Sequence, residues 1–253
     1  MTSSSQDLVA AGRAAFPAFA LRRLARTPST QDVVRLAARA GAGEGFCCIA
    51  GEQGAGRGRQ GRNWVAPPGS ALLCSLLLRR RPEAAGGVPI AAGIAVADAV
   101  AAVSGVDSGL KWPNDVLVNG SKLAGILVEV ESQAADAIVV GIGVNLTVDV
   151  FPPGVIGVSL HQLVATPPAA DDVLAAVLPA LRRRLDELTG GGVAALRSAW
   201  RERAIGIGGP VRANIGGAIV TGAAIDIDDD GALLVATSDG LTRLIAGEVH
   251  IGS

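Results

Sequence analysis

Lysine is nearly absent from this chain of 253 residues: among 22 basic side chains only Lys111 and Lys122 are lysines, and the rest are arginines. On a surface arginine replaces lysine readily, but it cannot replace a compact ammonium on a flexible stem. Two lysines that survive such a bias within eleven positions of each other point to a region where that group is required. Cysteine is scarce too. Cys47, Cys48 and Cys74 are odd in number and form no C-x-x-C pair, which excludes a disulfide framework and a cysteine zinc site. All three stand in apolar runs and are expected in the core. The two histidines, His161 and His250, make no ligand pattern, so a histidine-based metal centre is not expected. No apolar run is long enough to span a membrane. The N-terminal MTSSSQDLVA lacks the basic and apolar regions of a secretory signal, so a cytoplasmic location is the expectation. A net charge of −1 argues against general nucleic-acid binding.

What is present is a globular composition, 49% hydrophobic and 18% charged, with enough length for one large domain and one small one. Residues 1–14 read as a polar tail. Ser29-Thr30-Gln31-Asp32 has the form of a capping box opening a helix that Gly41 ends, with Val33, Val34, Leu36 and Ala37 as its apolar face. Phe46–Ala50 and Ala71–Leu78 read as strands, separated by a long Gly/Arg-rich loop over 51–69. Ile90–Val103 is a small-residue helix. Asn119-Gly120 predicts a hairpin between Asp115–Val118 and Lys122–Val130, because both turn residues accept positive φ. Ile138–Leu146 is a further strand, 147–170 a second long connection, and helices are expected at about 171–189 and 192–204. Beyond Ile205 come four short strands, Val211–Asn214, Ala218–Asp226, Leu233–Ala236 and Leu241–Ile245, punctuated by Gly216-Gly217, Asp229-Asp230-Gly231 and Asp239-Gly240. The expected class is α+β: a mixed-sheet domain over 15–205 and a small β module over 206–253.

Four segments carry chemistry. Gly54–Trp64 contains G-x-G-x-x-G at Gly56, Gly58 and Gly61, but no helix follows and no Lys-Ser or Lys-Thr completes a P-loop. Its glycines expose backbone N–H groups and Arg57, Arg59 and Arg62 add fixed charge, which suits a phosphate-bearing ligand or, alternatively, an RNA-facing basic patch. Such a loop should repel itself when empty and order around a ligand. In Lys111-Trp112-Pro113-Asn114-Asp115 the stiff Trp-Pro step can bring Lys111 and Asp115 together. In Ser121–Glu129 a lysine opens a strand beside a turn, placed to counter a phosphate. Gly141-Ile142-Gly143-Val144-Asn145 puts glycines inside a strand, a mark of close approach, and ends on an amide able to donate and accept.

Taken in order, these segments resemble the motif series of biotin–protein ligases: the glycine-arginine loop Gly56–Trp64, K-W-P-N-D at Lys111–Asp115, K-L-A-G-I-L-V-E at Lys122–Glu129, and the glycine-asparagine strand Gly141–Asn145. Gly247-Glu248-Val249 near the end of the β module fits as well, and the resemblance spans about residues 27–253. It implies a ligase domain followed by an SH3-like barrel, with ATP and Mg²⁺ as a substrate complex, biotin as the second substrate and no tightly bound prosthetic group. It implies a biotin carboxyl carrier protein as partner and no membrane. By position, Ser29, Thr30 and Gln31 would hold the ureido head, although asparagine is frequent at the place of Gln31. Gln53, Gly56, Arg57 and Arg59 would close over biotin and the adenylate. Arg59, Arg62, Trp64, Lys111 and Asn145 would meet the nucleotide. Lys122 would stabilise charge on the carboxylate and α-phosphate, with Asp115, Arg57 and Arg59 as the other catalytic groups. Roughly 27 residues precede the first motif, too few for the helix-turn-helix domain of some members, so DNA binding is not expected. A lipoate ligase is the nearest rival. An RNA-binding module is a more distant one, because no aromatic residue follows Trp200. The chain is not itself a carrier: its only methionine is Met1, so neither lysine has the flanking methionines of a biotinylated carrier.

Overall fold

The longest aliphatic runs become the centre of the molecule. In a computed structural model that describes residues 3–80, 85–134, 136–215, 218–245 and 248–251, Ala71–Arg79 (β3) pairs antiparallel with Ala137–Asn145 (β7). Both are buried nearly throughout, as strands covered on both faces must be. β7 pairs with Ser121–Val130 (β6), which continues through Asp115–Val118 (β5) to Gly109–Lys111 (β4). On the other side β3 pairs with Phe46–Ala50 (β2), and β2 runs parallel to the edge strand Ala20–Leu24 (β1). The sheet order is β1-β2-β3-β7-β6-β5-β4. The hairpin turn has φ of 49° at Asn119 and 79° at Gly120, the geometry its residues predict.

Alternation along the strands separates two faces. Cys47, Cys74, Leu76, Ile138, Val140 and Ile142 belong to the main core, under Val88–Ser104 (α3) and Ala170–Arg201 (α4). Cys48, Leu77 and Val139 face the opposite side, under Thr30–Arg39 (α2). The adjacent cysteines are therefore both buried core residues on opposite faces. Burial pushes the Cys48 thiol up to about 11 and the Cys74 thiol to about 12, so neither is a ready nucleophile. α4 covers both expected helices and is interrupted at Gly192, whose φ of 64° and ψ of −163° no helix contains.

Three expectations need correction at the N-terminal end. Residues 3–15 are not a tail but a helix, Ser3–Ala15 (α1), which packs on α4. Its polar opening hides an apolar stripe: Leu8, Ala15 and Phe16 are buried, and Gly12 lets the Phe19 ring lie against the helix. Ser29 precedes α2 but caps nothing. Gln53 supplies the capping oxygen instead, accepting the Thr30 N–H at 2.7 Å, so the capping box is not formed. Leu36, expected on the apolar face, is exposed.

The C-terminal module is a five-stranded antiparallel sheet of the expected SH3-like class, ordered β11-β10-β9-β8-β12. Pro210–Ile215 (β8), Ala218–Ile227 (β9), Leu233–Thr237 (β10) and Gly240–Leu244 (β11) match the four expected strands. Glu248–Ile251 (β12), which pairs with β8, was not anticipated. Gly216, Gly217 and Gly247 lie outside the described residues. The linker to the module covers the edge of β4: Leu110 donates to the Arg203 carbonyl at 2.8 Å, and Ile205 donates to the Leu110 carbonyl at 2.9 Å. Among the described residues no helix is long and apolar enough to cross a membrane.

One buried carboxylate locks α2 in place. Glu131, at the end of β6, has no exposed surface and accepts hydrogen bonds from Arg35 at 2.7 Å and Arg39 at 3.0 Å, one helical turn apart. Those bonds, with the Gln133 N–H, hold its pKa down at about 2. Its contribution to stability is complete above the ordinary carboxylate range and is lost as pH falls toward that value. Denaturant midpoints measured against pH should therefore fall steeply between pH 4.5 and 2. In Glu131→Gln that dependence should flatten, with a lower midpoint at pH 7. An unchanged pH profile in the variant would show that Glu131 is not the clamp.

Candidate active site

The sheet face under α2 is bare at its centre. The register aligns Leu73, Gly143 and Gly125 in one row across β3, β7 and β6, and Ser75, Gly141 and Leu127 in the next. Without side chains at the three glycines, larger groups lie directly on the backbone. A Cβ on Gly143 would come within 2.6 Å of the Trp64 indole, and one on Gly125 within 2.9 Å of the same ring. A Cβ on Gly141 would meet the Gln31 side chain at 3.1 Å. The glycines signalled close approach, and what approaches is the protein's own Trp64 and Gln31. Above this floor lies a cavity of about 430 Å³, walled by α2, the 53–65 loop, the Lys111–Asp115 segment and residues 151–156.

At one end Lys122 and Asp115 form an ion pair of 2.6 Å. Asp115 is the cross-strand partner of Lys111, so both lysines flank one carboxylate. The Lys122 ammonium stands 5.7 Å from the Trp64 ring centroid, within cation–π range. Asn114 fixes the segment against β6, donating its side-chain amide to the Ile126 carbonyl at 2.9 Å and accepting the Ile126 N–H at its own carbonyl.

At the other end the start of α2 is polar and buried. Thr30 Oγ1 bonds Gln53 Oε1 at 3.0 Å and Ser75 Oγ at 2.8 Å. Gln31 Nε2 donates to Glu129 at 2.9 Å. Among the described residues Ser29 Oγ, Gln31 Oε1 and Trp64 Nε1 are buried without a hydrogen-bond partner, and all three residues line the cavity. Such atoms suit hydrogen bonds with a bound molecule, Gln31 Oε1 accepting and Trp64 Nε1–H donating.

The arginine loop is a narrow hairpin over the cavity. The Trp64 N–H donates to the Gly56 carbonyl at 2.9 Å and the Gly58 N–H to the Arg62 carbonyl at 2.7 Å. Gly56 has no room for a side chain beneath the Trp64 carbonyl. The loop lies over the cavity rather than standing off as expected, and Arg57 finds two carboxylates within the chain. Arg57 binds Asp32 of α2 at 2.8 Å and Glu129 of β6 at 3.2 Å. Arg59 reaches Asn114 at 3.3 Å; burial lowers its pKa, and the nearby Asp115 acts in the opposite direction.

The structure brings Ser29, Thr30, Gln31, Gln53, Arg57, Arg59, Arg62, Trp64, Lys111, Asp115, Lys122 and Asn145 to the lining of this one cavity. Gly56 stands behind the lining. Asn145 is placed as expected but its amide is engaged, donating to the carbonyls of Lys122 at 3.1 Å and Val158 at 3.2 Å. It holds the strand end more than it offers a hand to a ligand. Sequence reasoning missed Asp32 and Glu129 as partners of Arg57, Ser75 as the partner of Thr30, and the 151–156 wall. Glu129 was within reach, since it alternates with Gly125 and Leu127 on the same face. Nothing periodic marks 151–156. Among the described residues no cluster of three His, Cys, Asp or Glu is arranged to hold a metal ion.

Comparison with known proteins places this architecture. Residues 24–145 match the biotin/lipoate A/B protein ligase family, and residues 206–252 match the biotin protein ligase C terminal domain. The chain is 37% identical over 247 residues to the biotin–[acetyl-CoA-carboxylase] ligase of Paracoccus denitrificans, covering 90% of this chain and 99% of that protein. It is also 37% identical to the Mycobacterium tuberculosis protein of the same name, over 89% and 86% of the two chains. The bifunctional ligase/repressor BirA of Bacillus subtilis is 30% identical, over 88% of this chain and 71% of its own. In fold the chain is similar to a biotin protein ligase from Aquifex aeolicus solved with biotin and ATP, with a TM-score of 0.81, 24% identity, and coverage of 92% and 99%.

If Asp32 and Glu129 hold the hairpin down, removing both charges should release it. Limited trypsin digestion of Asp32→Asn/Glu129→Gln is expected to cut after Arg57, Arg59 or Arg62 at least about tenfold faster than in the parent chain. Equal rates would mean that the ion pairs do not hold it.

Proposed function

The chain belongs to the biotin protein ligase family, and we propose that its cavity makes biotinyl-5'-AMP from biotin and ATP, then transfers the biotinyl group to a lysine of a carboxylase carrier protein. The observation that carries this reading is the Lys122–Asp115 pair of 2.6 Å, set in a cavity that also holds the partnerless buried polar atoms of Ser29 and Gln31.

In the first half-reaction a carboxylate oxygen of biotin attacks the α-phosphorus of ATP. The bond from that phosphorus to the bridging oxygen breaks, and pyrophosphate leaves. Charge gathers on the α-phosphate oxygens, and Lys122 is the compact cation positioned to meet it, with Arg57 and Arg59 above. Mg²⁺ enters with the triphosphate as part of the substrate. Trp64, flat on Gly125 and Gly143, shields the adenylate from water, which would otherwise hydrolyse it. In the second half-reaction the neutral amine of the carrier lysine attacks the acyl carbon, the bond to AMP breaks, and the amine sheds a proton. Asp115 orients Lys122 through its ion pair and would help orient the incoming amine.

The partnerless atoms favour biotin over lipoate. A ureido ring offers two N–H donors and a carbonyl, matching Gln31 Oε1 and the Ser29 hydroxyl. A dithiolane ring offers neither and would leave both atoms buried and unpaired, at a cost of about 1–3 kcal/mol each. The inward pairing of Arg57 and the half-burial of Arg59 speak against an RNA-facing patch.

The test is pyrophosphate–ATP exchange. Biotin, but not lipoate, should support it, and Lys122→Ala should lower it by about 100-fold or more with the protein still folded. Folded wild-type protein with Mg²⁺ that shows no exchange with biotin would overturn the proposal.

A further inference from the structure

The C-terminal module reaches into the segment that carries Asp115. Trp112 is buried, and its indole Nε1–H donates to the Gly231 carbonyl at 2.9 Å, 119 residues away in sequence. Gly231 lies in the turn between β9 and β10, at a φ of 81° that disfavours other residues. The turn is built rather than loose. Asp228 Oδ1 accepts the N–H groups of Asp230 at 2.9 Å and Ala232 at 3.0 Å, while its other oxygen is held by Arg243. Ion pairs of 2.6 Å between Arg197 and Asp229 and of 3.1 Å between Arg201 and Asp226 fasten the module to α4. The linker covers the free edge of β4, immediately before Trp112. Asn114 ties the segment to the sheet from the other side. Asp115 therefore hangs between an anchor in the sheet and an anchor in a different domain.

Resting on the ligase reading above, we infer that Trp112 is a positioning residue: through its hydrogen bond to Gly231, the C-terminal module holds Asp115, and with it Lys122, at the reacting end of the cavity. The module thereby takes part in adenylate formation without touching a substrate. The start of α2 has its own partners, Gln53, Ser75 and Glu129, none of them in the module. Loss of the Trp112 anchor should thus spare the grip on the biotin head and impair the chemistry.

Trp112→Phe keeps an aromatic ring and removes the Nε1–H donor together with the second ring of the indole. In the full chain, biotin affinity by calorimetry should stay within about twofold, while kcat for biotin-dependent exchange falls about tenfold. In an Asp115→Asn background the same substitution should add less than about twofold, because the two residues act through one contact. Asp228→Ala, which loosens the turn from the module side, should reproduce the split more weakly, with thermal melting used to verify that each variant is folded. Trp112→Phe with full exchange, parallel losses in affinity and rate, effects that multiply with Asp115→Asn, or Asp228→Ala indistinguishable from wild type would each overturn the inference. Wild-type exchange is measured alongside. Its absence would overturn the ligase reading itself, and this inference with it, whereas its presence confines any failure to Trp112.

Discussion

The site rests on the absence of side chains at Gly125, Gly141 and Gly143. Two of these glycines are register partners on neighbouring strands and the third lies two residues along, so together they leave a patch of bare backbone in an otherwise filled sheet. Trp64 and Gln31 lie in that patch at distances where any Cβ would displace them. The consequences propagate outward. Trp64 can lie flat only because of Gly125 and Gly143, the hairpin can close only because Trp64 lies flat, and Lys122 has an aromatic face beside it only in that arrangement. Glycine inside a strand weakens the strand, and here the loss is offset by neighbours buried on both faces. A stable sheet thus carries a bare patch that Trp64 and Gln31, reaching in from outside the sheet, lie upon.

Charge compensation is the second constraint. The hairpin brings three arginines over a small cavity, an arrangement that needs opposite charge close by. Asp32 and Glu129 supply it for Arg57, and Glu129 is shared with Gln31. The hairpin and the start of α2 are thereby joined through one carboxylate. α2 is itself seated by Glu131 beneath Arg35 and Arg39. Acidic residues on successive outward positions of β6 and just beyond it therefore fix first the helix and then the hairpin.

Much of this was legible in the sequence where local chemistry decides the outcome. The Asn119-Gly120 hairpin, β2, the small-residue helix α3 and a helix break in the glycine run 190–192, expected just before Gly192 and found at it, all follow from turn residues or from runs of one character. The four motifs converge on one cavity because two are loops over one face of the sheet and two are neighbouring strands, β6 and β7, that form its floor. Failures came where a distant partner decided. Residues 3–15 look polar at their start, but α4 supplies the surface that Leu8 and Phe16 cover. Ser29 has a capping sequence, but Gln53, 23 residues further along the chain, takes the Thr30 N–H at 2.7 Å. β12 is four residues long and exists because β8 offers an open edge.

The scarcity of lysine now has a structural reading. The two lysines of the chain are separated in sequence by a strand, a turn and part of another strand, yet both stand next to Asp115, Lys111 by strand pairing and Lys122 by its ion pair. Arginine elsewhere in the chain fills surface pairs and the hairpin, where a broad fork of donors serves well. At Lys122 the space is narrow: the terminal Cε and Nζ pass within 3.1 and 3.2 Å of where a Gly125 Cβ would be, beside the Trp64 ring. A planar guanidinium needs more width and spreads its charge over three nitrogens. An ammonium puts the whole charge at one point and can pivot between Asp115 and a phosphate oxygen. Under the function proposed above, a composition that favours arginine almost everywhere but keeps two lysines beside Asp115 fits a site that must counter charge on a single phosphorus centre.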